Sequence, residues 1–196
     1  MLFISSLFGC IYPPIYSLLL CIIFSCEKSS IIEIPNNVIF SNNIHLSIDG
    51  KFLLYKNKKF SGYLEEISSN NIKLSRIGYY NGRKEGIEKI WYDNNKISEI
   101  RFYRKGKKIG VHELFWDNGN KKMIAYFKNG EHNGEMTQWH KNGKVYKKFN
   151  YKSGFEEGNQ KIWNDKGNLK ANYDVIQGRR YVLTGIKNCK SVNNVY

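Results

Sequence analysis

The chain has 196 residues, 41% hydrophobic and 15% aromatic, and its 31 Lys and Arg outweigh 17 Asp and Glu for a formal net charge of +14. That apolar and aromatic content excludes a disordered polymer, and the length suits one domain plus a leader. Three of the four cysteines, Cys10, Cys21 and Cys26, fall in the apolar start of the chain, which excludes a disulfide framework and leaves the core to packing alone.

Residues 1–26 contain no charged side chain, so the whole basic excess lies on residues 27–196. Ile15 to Phe24 is a nearly pure hydrophobic run of ten. It is shorter than the roughly 20 residues of a membrane span and suits the core of a signal peptide. The stretch Ile23-Phe24-Ser25-Cys26 resembles a bacterial lipoprotein processing box. The resemblance implies a signal peptide over residues 1–25, acylation of the Cys26 thiol, and a membrane-anchored place in the cell envelope, on its periplasmic or surface side. Cys21 follows the bulky Leu20, and Cys10 leaves too short a hydrophobic leader. The leader lacks the Lys or Arg that usually opens one, so an uncleaved anchor, plain secretion and a cytosolic protein with an apolar tail are competing readings.

Residues 26–43 read as a tether with a first extended segment, broken by Pro35 and Asn36-Asn37. From Ile44 apolar and polar residues alternate, and Asp49-Gly50 signals a tight turn. Residues 44–54 are expected to form a hairpin that caps the first edge of a repeat array.

The array is a 24-residue repeat over residues 55–178, with residues 179–196 as a terminal cap. One glycine recurs as Gly82, Gly106, Gly130, Gly154 and Gly178, and a second as Gly62, Gly86, Gly110, Gly134 and Gly158. A large residue recurs as Ile67, Trp91, Phe115, Trp139 and Trp163; an opening aromatic recurs as Tyr55, Tyr79, Tyr103, Phe127 and Tyr151 and decays to Val175. A fixed period in this range marks a stacked array. The first glycine follows Asn81, Lys105, Asn129 or Ser153, a turn that needs positive φ. The second is expected to let a neighbouring aromatic lie over the backbone. A further Asn/Asp-rich turn follows the Trp91 position, and no window carries a helical period. The fold expected is all-β: an elongated single-layer antiparallel meander of hairpin repeats, each unit too small to bury its apolar face without its neighbours.

These landmarks, aromatic–x–x–Gly–x–x–x–Gly–x4–aromatic closing on an Asn/Asp turn, resemble the MORN-variant repeat, common in bacterial proteins catalogued as YwqK-type toxin–antitoxin components. The resemblance spans about residues 50–180, departing at Lys58, which replaces the first glycine of the first unit, and after Gly178. It implies a β-repeat scaffold used for interaction. An antitoxin role would need a cytosolic location and a toxic neighbour.

Signs of catalysis are absent from the sequence. His45, His112, His132 and His140 stand in unrelated places, and the columns Glu88/His112/Met136/Gln160 and Lys84/Lys108/His132/Glu156 do not repeat. No HExxH, CxxC or phosphate-cradling glycine loop occurs. Glu65-Glu66 and Glu156-Glu157 point to opposite faces of a strand and read as surface charge. An enzyme, a metal and a cofactor are therefore not expected. Cys189, among lysines, reads as a reactive thiol or, more plainly, as an inert residue of the cap.

Two functions remain. The first is a lipid-anchored scaffold that binds a protein partner through the periodic large residues Trp91, Phe115, Trp139 and Trp163 together with Tyr103. The second is a binder of an anionic lipid surface or polysaccharide. It would act through a basic edge drawn from pairs such as Arg83-Lys84, Arg104-Lys105, Lys107-Lys108, Lys121-Lys122, Lys147-Lys148 and Arg179-Arg180. Such lysines also serve simply to keep a ribbon soluble. Nucleic acid is an unlikely partner for an exported protein.

Overall fold

The structure is a computed structural model that describes residues 32–182; Cys26, the leader and Cys189 lie outside them. In chain order the strands are β1 (Val38–Phe40), β2 (Leu46–Asp49), β3 (Phe52–Tyr55), β4 (Lys58–Lys59), β5 (Gly62–Ile67), β6 (Lys73–Tyr80), β7 (Arg83–Trp91) and β8 (Ile97–Arg104). They continue as β9 (Lys107–Phe115), β10 (Lys121–Lys128), β11 (Glu131–Trp139), β12 (Val145–Lys152), β13 (Phe155–Glu156), β14 (Gly158–Trp163), β15 (Leu169–Ile176) and β16 (Arg179–Val182). No helix forms among the described residues.

Thirteen of these strands make one sheet. From β5 to β16 it is an antiparallel meander in sequence order, with β13 a short extra piece on β12. The glycine turns explain the tight hairpins. Asn81, Lys105, Asn129, Ser153 and Gln177 have φ near +50° and the following glycines have φ between +75° and +98°. Two successive left-handed residues make the turn whose twist matches a strand pair, and glycine takes the second position without a Cβ penalty.

The opposite turns are built differently. Tyr92, Trp116, His140 and Asn164 each close a short loop, their N–H bonding to the carbonyl four residues on, and a left-handed residue completes it at Asn95, Gly119, Gly143 and Gly167. Just beyond each loop the returning strand carries an extra residue, Ser98 in β8 and Lys122 in β10, opposite no partner.

The N-terminal edge departs from expectation. The hairpin of residues 44–54 does not cover the first edge of the array. That edge is taken by β1, which lies parallel to β5 with Val38 opposite Tyr63, while β2, β3 and β4 form a separate three-stranded sheet. Lys58 supplies the reason. The first unit makes its turn at Lys56-Asn57, with φ of 50° and 60°, one residue earlier than the 24-residue period would place it. Asn tolerates the left-handed region far better than Lys. A one-residue slip inverts every side chain of a strand, so β3 and β4 cannot continue the register of β6 and β7. The small sheet leans on the next glycine turn through Leu53 N–H, which donates to Gly82 O at 2.8 Å, while Gly82 N–H donates to Phe60 O at 2.7 Å as the later turns do to Lys84, Lys108 and His132.

The second glycine also has a different role from the one expected. No heavy atom would meet a Cβ at Gly110 or Gly158, and an aromatic approaches at two of the five positions, Gly62, where Phe60 Cζ would lie 2.7 Å away, and Gly134, where Tyr126 Cβ would lie 3.3 Å away. What these positions share is positive φ, from 64° at Gly110 to 147° at Gly62. Each marks a break in pairing: Phe127 pairs with His132 and Ala125 with Met136, so residues 133–135 stand opposite Tyr126 alone. β8–β9 and β6–β7 break alike, and at Gly158 the strand is interrupted into β13 and β14.

The turn chemistry yields a direct expectation. Gly130→Ala, which meets nothing closer than Lys107 Cβ at 3.8 Å, should lose about 1–2 kcal/mol in urea unfolding from the left-handed penalty alone. Ser153→Asn, at a left-handed position that Asn accepts, should hold or raise stability. Equal behaviour of the two variants would contradict this account of the turns.

Candidate functional site

Cross-strand partners share a face, so the register sorts the side chains into two sets. One face carries Tyr103, His112, Ala125, Phe127, Met136, Phe149 and Tyr151. It holds the apolar core, with Ala125, Phe127, Met136 and Phe149 buried and Met123, Ile162 and Tyr173 packed on them. Trp91, Phe115, Trp139 and Trp163 pair with Ile97, Lys121, Val145 and Leu169 on the other face. The five residues singled out from the sequence are therefore not one surface. Tyr103 belongs to the core face and is buried, and the Trp column is half-buried on the reverse.

The core face contains the rail of rings, but cations and imidazoles share it. Lys84 Nζ lies 5.0 Å from the Tyr103 ring centre and Lys108 Nζ 5.0 Å from that of Phe127; His132 occupies the equivalent place 4.9 Å from Tyr151. His112 and His132 flank Phe127 at 4.3 and 4.2 Å. Contrary to their scattered look in sequence, these two histidines stand in one continuous stack. The column Lys84/Lys108/His132 varies in residue type and keeps one task, covering the aromatic of the next unit.

The column Glu88/His112/Met136/Gln160 has a shared task as well. Each residue lies two positions after the second glycine and fills the hollow that the pairing break leaves. Gln160 is fully buried, and its amide donates to Asn150 O and accepts from Asn150 N–H, both at 3.0 Å, replacing a lost ladder pair. His112, 2% exposed, sets its Nε2 3.3 Å from Phe102 N and 3.1 Å from Phe102 O, one ring nitrogen that accepts from the N–H or donates to the C=O according to its tautomer. Met136 fills its hollow by packing. Glu88, also 2% exposed, is held by Lys84 at 2.6 Å and Arg101 at 3.5 Å. Burial would raise its pKa, but the Lys84 hydrogen bond and the two cations bring it below the usual carboxylate value. Its neighbour Tyr103 is pushed up to about 12 by burial and by the Glu88 charge. Glu65, read from sequence as surface charge, is likewise buried and paired with Lys73 at 2.9 Å and with Arg76.

The turns carry two further columns that were missed in the sequence. Tyr92 OH donates to Phe115 O at 2.8 Å, Trp116 Nε1–H to Trp139 O at 3.1 Å, and His140 Nε2 lies 3.4 Å from Trp163 O. Asn94, Asn118 and Asn142 donate to Asp117 O, Lys141 O and Asp165 O. A donor recurring every 24 residues directly after the Trp91 position, and an Asn two further on, was the available signal. Among the described residues no group of three His, Cys, Asp or Glu side chains is placed to hold a metal ion.

The basic pairs do not form one even edge. Lys148 is mid-strand and paired with Glu135 at 3.0 Å, and Lys122 lies 4.6 Å from the Trp116 ring at the opposite turns. After the glycine of each turn the pairs run from Arg83-Lys84 and Lys107-Lys108 through Glu131-His132 and Phe155-Glu156 to Arg179-Arg180. Cations therefore gather toward both ends of the series, and at the first turn they stand beside the three-stranded sheet. There Lys51, Arg83, Lys84, Lys105 and Lys107 line a cleft of about 370 Å³.

Together the meander and its two sets of stacked turns define a β-repeat array. Residues 84–105, 108–129 and 133–153 match the family model of the MORN repeat variant. The first two matches begin at the rail residues Lys84 and Lys108 and the third one residue past His132; each ends at the following glycine turn, and so takes in the broken strand, the Asn turn and the return. No curated protein matches the chain.

The buried histidines set a pH dependence. Burial holds the pKa values of His112 and His132 below the ordinary imidazole value, with the charge of Lys108 acting on both. The unfolded chain therefore binds more protons than the folded one once pH falls below about 6.5. Stability is full above that value and is lost as pH falls toward the lowered folded pKa values. His112→Gln, copying the Gln160 solution, should keep neutral-pH stability and weaken the acid sensitivity in thermal unfolding scans from pH 8 to 5. His112→Leu should cost about 1–3 kcal/mol by stranding the Phe102 peptide group that Nε2 serves.

Proposed function

We propose that the chain is a non-catalytic scaffold for protein interaction, held at a membrane of the cell envelope through lipid on Cys26. The observation that supports the scaffold reading is the face opposite the core. Near its middle Ile124, Tyr126, Thr137, Trp139 and Val145, with the Glu135–Lys148 ion pair at their edge, line a shallow groove of about 290 Å³, and Tyr126 is 45% exposed. Ile87, at 44% exposure, continues the apolar character toward the N-terminal units. An aromatic and aliphatic surface on a rigid sheet suits a partner that anchors in a dry patch. The wide spacing of similar units suits a long contact better than a small substrate. The repeat match agrees with an interaction module and carries no chemistry of its own.

A second reading, binding to an anionic polymer or membrane surface, draws on the cations at the first glycine turns. Salt separates the two, since charge-driven contact weakens steeply with ionic strength and an apolar groove does not.

In crosslinked envelopes, Tyr126→Lys with Trp139→Ala should remove the crosslinked partner while leaving the unfolding transition close to that of the parent chain. The parent's crosslinks should survive 0.5 M salt, a condition set roughly by the screening length. Cys26→Ala should release the protein from the membrane fraction. Retention of that variant would sink the anchor, and partner capture unchanged by the groove substitutions would sink the scaffold face.

A further inference from the structure

The cleft beside the three-stranded sheet is the place where the array stops being periodic, and its chemistry is one-sided. Of its five cations only Lys84 has a carboxylate, Glu88 at 2.6 Å. Among the described residues no Asp or Glu lies within ion-pair distance of Lys51, Arg83, Lys105 or Lys107. The nearest acid on the turn, Glu85, is buried and is used by the backbone, accepting the Lys105 N–H at 2.7 Å.

Phe52 organises the group. Its side chain packs over the Gly82 turn, where an added Cβ would sit 3.2 Å from Phe52 Cβ. Its ring has the Arg83 guanidinium at 4.9 Å, Lys59 Nζ at 4.2 Å and Lys51 Nζ at 6.0 Å. A ring face attracts one cation by a modest amount; three around one ring, with two more lysines across the cleft, repel one another. Solubility does not call for such crowding, because the middle units leave the equivalent positions to Glu131, Phe155 and Glu156, and the basic pair that returns at Arg179-Arg180 has no second sheet folded against it. The cluster exists only because the slipped first turn folds β2–β4 back against Gly82 and brings Lys51 and Phe52 to Arg83, Lys105 and Lys107.

We infer that this cleft is a binding site for a phosphate-type oxyanion of two or more charges, with Arg83 and Lys107 as its principal ligands and Lys51 and Lys105 closing over it. Guanidinium and ammonium donors meet phosphate oxygens through short, charge-assisted hydrogen bonds. The volume leaves room for the group that carries the phosphate, against the apolar wall formed by Leu53 and Tyr79. The site lies at the glycine turns rather than in the groove proposed for the protein partner, and it stands or falls independently of that groove.

The test is titration of the purified chain with inorganic pyrophosphate at low salt, followed by calorimetry and by thermal shift. The parent should bind and be stabilised. Arg83→Gln with Lys107→Gln should weaken binding about ten-fold or more, since two charge-assisted contacts are lost. Lys121→Gln with Lys147→Gln removes the same charge elsewhere and should leave affinity within about two-fold. Unfolding of each variant without ligand checks that the sheet is intact; Lys105→Gln, away from the Phe52 ring, serves if the first pair is unstable. A parallel arm uses vesicles containing phosphatidic acid. Pyrophosphate binding lost in Arg83→Gln with Lys107→Gln supports a soluble phosphorylated ligand. Vesicle binding alone, lost in the same variant, supports a headgroup in the same cleft. No binding in either arm, or equal loss in both double variants, overturns the site.

Discussion

The array depends on keeping each hairpin at a fixed distance from the next, and this is done by hydrogen bonds that cross from unit to unit at the turns. At one side, Gly106 N–H donates to Lys84 O, Gly130 N–H to Lys108 O and Gly154 N–H to His132 O, at 2.8 to 2.9 Å. At the other, the Tyr92, Trp116 and His140 side chains reach the carbonyl of the following unit, with the Asn94, Asn118 and Asn142 amides beside them. Strand ladders alone hold neighbours together but allow slippage when the faces are mixed in polarity. The turn bonds remove that freedom. Every other property of the sheet, including its rail of rings and its two distinct faces, depends on units locked at one spacing.

Locking has a cost in the middle of each hairpin. The two turns of a unit differ in geometry, and the pairing between them breaks where the second glycine turns to positive φ. Each break strands peptide groups on a strand that is otherwise well paired. A buried unpaired peptide group is expensive, so a side chain must enter. Gln160 satisfies both peptide groups of Asn150, His112 serves one peptide group of Phe102 at a time, and Met136 closes its hollow mainly by packing, with the Gln138 amide 3.9 Å from its Sδ. Glu88 brings a charge and needs Lys84 and Arg101 to hold it. Four answers to one geometric problem look like four unrelated residues in a linear reading.

That difference marks where the sequence was legible. Period, strand content, the left-handed glycine turns and the antiparallel meander all come from residues that repeat by type, because a tight turn admits few residue types. Positions that repeat by role were opaque. Glu88, His112 and Gln160 share a place but not a chemistry, and Lys84, Lys108 and His132 share a ring to cover. The second glycine was visible but its cause was not, since a close aromatic and a positive φ both exclude a side chain. The grouping of Trp91, Phe115, Trp139 and Trp163 with Tyr103 failed for a simpler reason. The extra residue after each Asn turn, Ser98 between Trp91 and Tyr103, shifts strand parity, and no composition rule announces it.

The first unit shows how a small local change produces a feature the period lacks. Lys58 in place of glycine moves one turn by one residue, and the slip turns β3 and β4 out of the main sheet. Leu53 then finds burial against the Gly82 turn, while Phe60 keeps the place that Lys84 takes in the next unit, its ring centre 6.4 Å from that of Tyr79. The same movement carries Lys51, Phe52 and Lys59 to Arg83. Further along, where turns keep strict period, charge at the rail falls from Lys108 through His132 to Glu156, and Arg180 answers Glu156 at 3.2 Å. A regular array presents the same surface many times, and binding at one place requires that one place differ. Here the difference originates in a turn that lost its glycine.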